Sequence, residues 1–300
     1  MPPAQPTAAT GPILRFPPPG RPRLDPPLGS PLPRSSGLLP ARLALSPPHL
    51  GGGELAALRA TLDSGWIAPA GPTPAAFEAA LAEATGFLHV LATASGTAAL
   101  HLGYRCLGLA AGDEVCTSTL TFVATIAPAV QMGARPRFLD VERESWTLDP
   151  GLLELERAGR RGKLPRAVVP VDLFGQCADL AAIVPLCERW GVPVLSDSAG
   201  VLGATQRGRH AGRGAGLAAF SFNGNKIVTT GGGGALASDD PALIAEARHL
   251  ANQAKEPAAH YQHETTGFSY SMSSMLAAIG LAQLPTLEGR VAARRAVFAR

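Results

Sequence analysis

The sequence contains only three lysines, at positions 163, 226 and 255, among 26 basic residues, so a lysine in an unusual setting calls for a chemical explanation. Lys226 has such a setting, because it follows the apolar run 217–222 and precedes the glycine run 231–234. Arginine stays protonated, whereas a desolvated lysine amine can lose its proton and attack a carbonyl carbon. Glycines let a bound group approach the backbone closely. An ordinary loop lysine beside a flexible turn remains the alternative.

An acidic residue, Asp197, stands at the end of the predicted strand 192–197. In open α/β sheets, ligands bind beyond the carboxyl ends of the strands. A carboxylate there could stay ionised against a protonated ring nitrogen, in a strong charge-assisted bond. A helix cap or a surface loop acid is the alternative reading of the same residue.

A short polar segment, Ser95, Gly96 and Thr97, follows a predicted strand and opens a predicted helix. Hydroxyl groups, a flexible glycine and the free N–H groups of a helix start together form an anion cup, and phosphate is its natural guest. Plain helix capping by Ser95 or Thr97 would use the same residue types.

An aromatic residue, Phe122, comes shortly after another predicted strand, where its ring could stack on a planar ligand. Considered alone, it would more often be a core residue. Taken together, the four features provide an anion cup, a partner for a ring nitrogen, a stacking face and an imine-forming amine. These are the groups that a pyridoxal 5'-phosphate (PLP) enzyme needs from its protein.

The elements that would position these residues alternate between strands and helices along the chain. Such alternation predicts an α/β fold with a mostly parallel sheet and helices on both faces. The predicted strands are 89–94, 114–118, 135–140, 166–171, 192–197, 217–222 and 235–238. The predicted helices are 54–64, 74–85, 97–107, 122–132, 179–190, 240–253 and 274–287.

Composition excludes several other classes of protein. The net charge of +3 includes no basic block of the kind that binds nucleic acid. No apolar run reaches the roughly 18 residues that a membrane span needs, and no secretory signal is evident. The four cysteines form no CxxC pair and lack a nearby histidine at zinc spacing, so we expect reduced thiols, no metal and a cytoplasmic protein.

Domain boundaries follow from the distribution of proline. Fifteen of the 28 prolines lie in the first 48 residues, and such a segment cannot offset the entropy of ordering. Residues 1–44 are therefore predicted to be a disordered Pro-rich tail, and residues 45–288 a large ligand-binding domain. Residues 289–300 are expected to begin a truncated C-terminal small domain.

Many short motifs in residues 45–300 resemble the DegT/DnrJ/StrS family of PLP-dependent sugar aminotransferases. They are SGTAALH at 95–101, GDEV at 112–115, TFVA at 121–124, DLFGQ at 172–176, SFNGNK at 221–226, GGGG at 231–234 and AAIGLAQL at 277–284. The resemblance implies PLP fold type I, the aspartate-aminotransferase-like fold. It also implies a homodimer and glutamate as the amino donor.

The resemblance assigns a role to each candidate residue. Lys226 would bind PLP as a Schiff base and then move the proton, Asp197 would pair with the pyridine nitrogen, and Phe122 would stack on the ring. The phosphate of the cofactor would be held by Gly96, Thr97 and Ser221. The chain departs from the family at Gly200, where the family has an amide or acid, and at Ser269 and Ser271, where it has Asn and Arg.

A narrower likeness, to enzymes that make 4-amino sugars of the bacillosamine type, points to a UDP-linked 4-keto-6-deoxy-N-acetylhexosamine as substrate. It rests on the segments 45–51, 66–69 and 253–263. Three alternatives stay open: a 3-aminotransferase, a PLP-dependent sugar dehydratase, and a non-catalytic relic or regulatory protein of the same fold. Lys226 disfavours the dehydratases, which carry histidine there. Gly200, Ser269 and the expected truncation favour the relic.

Overall fold

The computed structural model describes residues 45–300, so the tail predicted at 1–44 lies outside the described residues. Its strands are β1 His89–Thr93, β2 Glu114–Ser118, β3 Arg135–Leu139, β4 Ala167–Val169, β5 Leu195–Asp197, β6 Thr205–Gln206, β7 Arg209–His210, β8 Leu217–Ser221 and β9 Gly234–Ser238. Its α-helices are α1 Glu54–Asp63, α2 Pro72–Thr85, α3 Gly96–Cys106, α4 Ala127–Gln131, α5 Pro150–Gly159, α6 Leu180–Trp190, α7 Pro241–Ala251, α8 Ser274–Gln283 and α9 Leu287–Phe298. No helix within residues 45–300 is long and apolar enough to cross a membrane.

One twisted sheet runs through the molecule in the order β3-β2-β4-β5-β8-β9-β1. Strand β2 is parallel to β3 and β4, and β5 is parallel to β8. Two isolated parallel bridges, Val168 to Val194 and Val171 to Asp197, join β4 to β5. Only β9, among the strands of this sheet, runs antiparallel to its neighbours β8 and β1. The predicted α/β fold with a mostly parallel sheet is therefore confirmed.

The register places the carboxyl ends of three strands side by side. Asp197, the last residue of β5, pairs with Ala219 of β8. Gly234, the first residue of β9, pairs with Ser221 at the end of β8 on one side and with Thr93 at the end of β1 on the other. The residues that follow β1, β5 and β8 are thus delivered to one edge of the sheet.

The central strands are buried on both faces, and their alternate side chains enter two separate cores. Leu217 and Ala219 of β8 face a core that includes α3 and α7. Ala218 and Phe220 face a second core, which contains Phe77 of α2. This alternation follows from the two-residue period of a strand. Helices therefore cover both faces, as the mostly apolar strand sequences predict.

Two predicted helices are interrupted. The helix predicted at 122–132 is a 3-10 turn, Val123–Thr125, followed by the short helix α4. The helix predicted at 274–287 ends at Gln283, because Pro285 cannot donate to the helical ladder, and α9 starts after a second 3-10 turn, Leu284–Thr286. Helix α5 and the β6–β7 hairpin were not predicted. The signal for α5 was available, since Asp149 caps it and Pro150 opens it.

The contact between α8 and α2 allows a test of packing against helix propensity. A methyl group on Gly280 would lie 2.5 Å from ring atoms of Phe77, which is fully buried. Alanine would favour the helix by about 1 kcal/mol, but overpacking costs about 1–3 kcal/mol. We expect Gly280→Ala to lower the free energy of unfolding by up to about 2 kcal/mol in urea titrations. The matched variant Gly289→Ala, at an exposed α9 position with open space around it, should stabilise the protein instead. Stabilisation by both variants would contradict the packing.

Candidate active site

The loop that carries Lys226 leaves the end of β8 and returns on itself. The Lys226 N–H donates to the Asn223 carbonyl at 2.9 Å, and the Thr230 N–H donates to the Phe222 carbonyl at 2.9 Å. The amine is partly buried. Burial lowers the pKa of Lys226, and the negative charge of Asp197 partly opposes this shift. Lys226 therefore differs from a fully solvated loop lysine, because its amine loses a proton more easily.

Asp197 is buried, with 5% of its surface exposed, so the interpretation as a surface acid is wrong. The Thr125 hydroxyl donates to its Oδ2 at 2.5 Å, and the Ala199 N–H donates to its Oδ1 at 3.1 Å. Burial raises the pKa of Asp197, whereas these two bonds and the charge of Lys226 lower it. The carboxyl group and the Lys226 amine therefore influence each other's ionisation, as a shared site requires.

A chain of polar groups stands behind Asp197 and was missed in the sequence. The Tyr104 hydroxyl donates to the Thr125 carbonyl at 2.6 Å, and Tyr104 is fully buried. The hydroxyls of Thr121 and Thr125 lie 2.6 Å apart. Because Thr125 is held on both its backbone and its side chain, its hydroxyl has a fixed direction towards Asp197. The available signal was Thr125, a second hydroxyl in the stretch 121–125, from which only Phe122 was predicted to be a site residue.

The residues predicted to form an anion cup lie where the start of α3 meets the end of β8 and the start of β9. Ser95 is the N-cap of α3, and its hydroxyl accepts from the Ala98 N–H at 3.0 Å. Capping is thus what Ser95 does. A methyl group on Gly96 would lie 2.9 Å from the Ser221 Cβ, and one on Gly234 would collide with the Ser95–Gly96 backbone. The first N–H groups of a helix have no intrahelical partner, so Gly96 and Thr97 present donors beside Ser221.

Phe122 is 75% exposed, so the alternative of an ordinary core residue is wrong. It immediately precedes the 3-10 turn that contains Thr125, the residue bonded to Asp197. A large apolar ring in this position is available to stack on a bound planar group. Its role in stacking remains a prediction.

A second buried carboxyl group, that of Asp172, lies beside the site. The backbone N–H of Asp172 donates to the Asp197 carbonyl at 2.9 Å. The Ser198 hydroxyl and the Ala178 N–H donate to its carboxyl oxygens at 2.6 and 2.7 Å. Burial raises the pKa of Asp172 to about 6, the charge of Asp197 raises it too, and the three donors including Ser196 lower it. Asp172 follows a buried strand as Asp197 does, so the same reasoning could have identified it.

These residues fit a phosphorylated, planar, cationic ring. Gly96 and Gly234 let the start of α3 pack directly against the end of β8 and the start of β9, and Asp197 is a buried carboxyl group with only neutral donors bonded to it. A carboxyl group in that state is suited to a cationic partner. The structure therefore brings together Gly96, Ser221 and Gly234 at one edge of the sheet, and it couples Asp197 to Lys226.

Comparison with known proteins supports this reading. The DegT/DnrJ/EryC1/StrS aminotransferase family matches residues 48–300. EpsN of Bacillus subtilis, a pyridoxal phosphate-dependent aminotransferase by name, is 47% identical over 261 residues, which are 86% of this chain and 67% of EpsN. GDP-perosamine synthase of Caulobacter vibrioides is 37% identical over 256 residues, which are 85% of this chain and 68% of that enzyme.

Solved structures agree with the sequence relatives. The aminotransferase TlmJ of Streptoalloteichus hindustanus superposes with a TM-score of 0.77 at 33% identity, over 82% of this chain and 67% of TlmJ. The PLP form of the sugar aminotransferase Spr1654 of Streptococcus pneumoniae gives 0.76 at 27% identity, over 82% and 67% of the two chains. The chain thus spans about two thirds of the length of the relatives it matches.

The raised pKa of Asp172 predicts a pH-dependent stability. Its ordinary pKa is 3.8 and its folded pKa is about 6, so between these values the folded state binds more protons than the unfolded state, and stability falls as pH rises. Asparagine lacks this titration. The free energy of unfolding of Asp172→Asn minus that of the parent should therefore rise by up to about 3 kcal/mol between about pH 4 and about pH 6.

Urea unfolding at a series of pH values measures this difference, and Asp113→Asn is the control of opposite sign. The hydrogen bond from Lys163, with that from Arg166, lowers the pKa of Asp113 to about 2. The contribution of Asp113 to stability is lost only as pH falls below its ordinary pKa of 3.8. The difference in the free energy of unfolding between Asp113→Asn and the parent should therefore be level between about pH 4 and 6. A level curve for Asp172→Asn as well would rule out the raised pKa.

Proposed function

The chain belongs to the DegT/DnrJ/EryC1/StrS aminotransferase family, and from that membership we propose that it transfers an amino group to a nucleotide-linked keto-sugar, with Lys226 as the residue that binds PLP. The family, the fold and PLP as cofactor, all predicted from the sequence, are confirmed. One observation carries the assignment to residues. A lysine with a lowered pKa is coupled to a buried carboxyl group, and the start of α3 packs against the end of β8 at the same edge of the sheet.

PLP, when bound, supplies an aldehyde and a ring that accepts electrons from a neighbouring carbon. The first N–H groups of α3, from Gly96 and Thr97, and the Ser221 hydroxyl would bind its phosphate. Asp197 would hold a proton on the ring nitrogen, since the Thr125 and Ala199 donors favour its ionised form. Phe122 would stack on the ring and exclude water.

Lys226 has two tasks in this proposal. Its amine must be neutral in order to bind the aldehyde, and burial lowers its pKa towards that state. With PLP and the amino donor bound, the Lys226 Nζ would also accept a proton from one carbon and return it to the next. A general acid–base group must reach both positions without drifting into bulk water, and the turn bonds of the 222–230 loop restrict such drift.

The proposed substrate is a UDP-linked 4-keto-6-deoxy-N-acetylhexosamine, with glutamate as amino donor. The likeness to enzymes of bacillosamine-type sugars supports this choice. A GDP-linked sugar is the second candidate, because relatives from Caulobacter vibrioides and Vibrio cholerae, 37% and 34% identical, are named GDP-perosamine synthases.

A homodimer in the cytoplasm belongs to the same proposal. Leu55 and Leu62 of α1 and the following Trp66 and Ile67 are all more than half exposed, and a second copy could cover them. The four cysteines are free, and all but Cys106 are buried, which suits a reducing compartment.

The role of Lys226 is tested by its replacement. Incubation of the parent with PLP should produce a visible absorbance band, and borohydride reduction should fix PLP to a peptide that contains Lys226. In Lys226→Ala both signals should be absent. Transfer should fall by at least 10²–10⁴-fold, roughly the contribution of one general acid–base group. Lys255→Ala, at an exposed lysine beside Tyr261, should keep both. Recovery of PLP on Lys163 or Lys255 in the parent would contradict the assignment.

The choice of substrate is tested by measuring 2-oxoglutarate release from glutamate with three acceptors, namely UDP-4-keto, GDP-4-keto and UDP-3-keto sugars. We expect kcat/KM to favour the UDP-4-keto sugar by at least about tenfold, the effect of about 1.4 kcal/mol of contact energy. A preference for the GDP sugar would show that the proposed substrate is wrong, while the proposed amino transfer would stand. No transfer to any acceptor, despite PLP attachment at Lys226, would overturn the proposed activity.

A further inference from the structure

The backbone of the Lys226 loop is held by side chains from distant parts of the chain. Three of its backbone groups bond to Ser46, to Arg290 of α9 and to Gln283 of α8. The bonds are Ser46 Oγ to the Asn225 carbonyl at 2.9 Å, Arg290 Nη1 to the Ile227 carbonyl at 2.7 Å, and the Thr229 N–H to Gln283 Oε1 at 3.0 Å. Two of these anchors lie one and three residues beyond Lys226, so they fix where its side chain begins.

Gln283 is fully buried, and both ends of its amide are occupied. Its Nε2 donates to Glu54 Oε1 at 2.8 Å and to the His49 carbonyl at 3.0 Å. Its Oε1 accepts from the Thr229 N–H and, at 2.7 Å, from Arg290 Nη1. Turning the amide over would place its N–H groups against two donors, so only one orientation satisfies the site.

Glu54 fixes that orientation from the other side. Although burial alone would raise its pKa, the N–H groups of Gly51 and Glu54 itself, the Gln283 amide and the Gly52 N–H lower it to about 2. It therefore remains an acceptor at any working pH. The positive charge of Arg290 also favours its ionised form, and burial in turn lowers the pKa of Arg290. Glu54, Gln283 and Arg290 thus form one hydrogen-bonded network, with one negative and one positive charge, beside the 222–230 loop.

We propose that Gln283 is a positioning residue for Lys226: its buried amide, oriented by Glu54 and Arg290, fixes the 227–229 backbone and thereby keeps the Lys226 amine partly buried near Asp197. This inference rests on the proposed function, because it concerns the lysine that binds PLP. It predicts that the network affects attachment at Lys226 more than phosphate binding, since the hydrogen bonds of Gln283 go to Thr229, His49, Glu54 and Arg290 and not to Gly96, Thr97 or Ser221.

Gln283→Leu tests the proposal, since leucine keeps most of the volume and makes none of the four hydrogen bonds. If the loop loosens, the amine becomes better hydrated and its pKa rises. We expect the rate of borohydride trapping of PLP at Lys226 to fall at least tenfold and its pH midpoint to move upward. Pyridoxamine phosphate has no aldehyde, so its affinity should stay within about twofold of the parent value, which is within about 0.4 kcal/mol. Gln131→Leu, at an exposed helix position, is the matched control.

The outcomes are separable. An unchanged pH midpoint, or a loss of pyridoxamine phosphate affinity equal to the loss of trapping, would overturn the positioning role. If Gln283→Leu does not fold, Arg290→Gln decides, because it removes the bond to Ile227 and leaves Glu54 on Gln283. A smaller upward shift of the pH midpoint in that variant would support the proposal. An unchanged midpoint would refute it. Failure of the parent itself to trap PLP at Lys226 would refute the proposed function instead.

Discussion

The arrangement of this site depends on one buried carboxyl group. Transferring a charged carboxylate out of water costs several kcal/mol or more unless partners compensate. Asp197 has a hydroxyl and an amide N–H as donors, and within residues 45–300 no lysine or arginine nitrogen lies at salt-bridge distance from it. Its ionised form is therefore only partly compensated by the protein. In the proposed function, a cationic ring bound beside Asp197 would complete the compensation, and the carboxyl group would in turn favour a protonated ring nitrogen.

The fold brings the other parts of the site to this carboxyl group by keeping side chains small where elements must touch. Gly103 of α3 packs closely on β5, since a methyl group there would lie 3.0 Å from the Leu195 side chain, which would have to shift. At the start of the same helix, Gly96 lies directly against Ser221. Larger residues would lift α3 from β5 and β8, and the anion cup would separate from Asp197. The distance between the proposed phosphate site and the proposed ring-nitrogen site would thus be set by helix–sheet packing, which rigid elements maintain better than loops.

Local patterns in the sequence predicted the regular elements and the sheet edge, because two-residue and 3.6-residue periods are readable without tertiary information. They failed where a single side chain overrides the period. The segment 122–132 has helical spacing, yet Pro128 has no N–H to donate to the Ala124 carbonyl, and the segment divides into a 3-10 turn and α4. The same limit applies to polar networks. Glu54 and Gln283 lie 229 positions apart, and nothing local indicates that they bond. Lys226 lies in one of the family motifs and Asp197 was inferred from its place at a strand end; the roles of both stay predictions.

Burial lowers the pKa of Lys226 and raises that of Asp197, and this difference explains why the lysine needs a structured loop. It favours the neutral form of Lys226, which binding an aldehyde requires, but also the neutral form of Asp197, which holding a ring proton opposes. Thr125 resolves the conflict for the carboxyl group by donating directly to it. For the amine no such bond is useful, since any acceptor would favour its charged form. Burial is what lowers its pKa here, and the extent of that burial depends on the position of the backbone that carries the side chain. Irregular backbone supplies few bonds of its own, which is why distant side chains such as Gln283 must hold it.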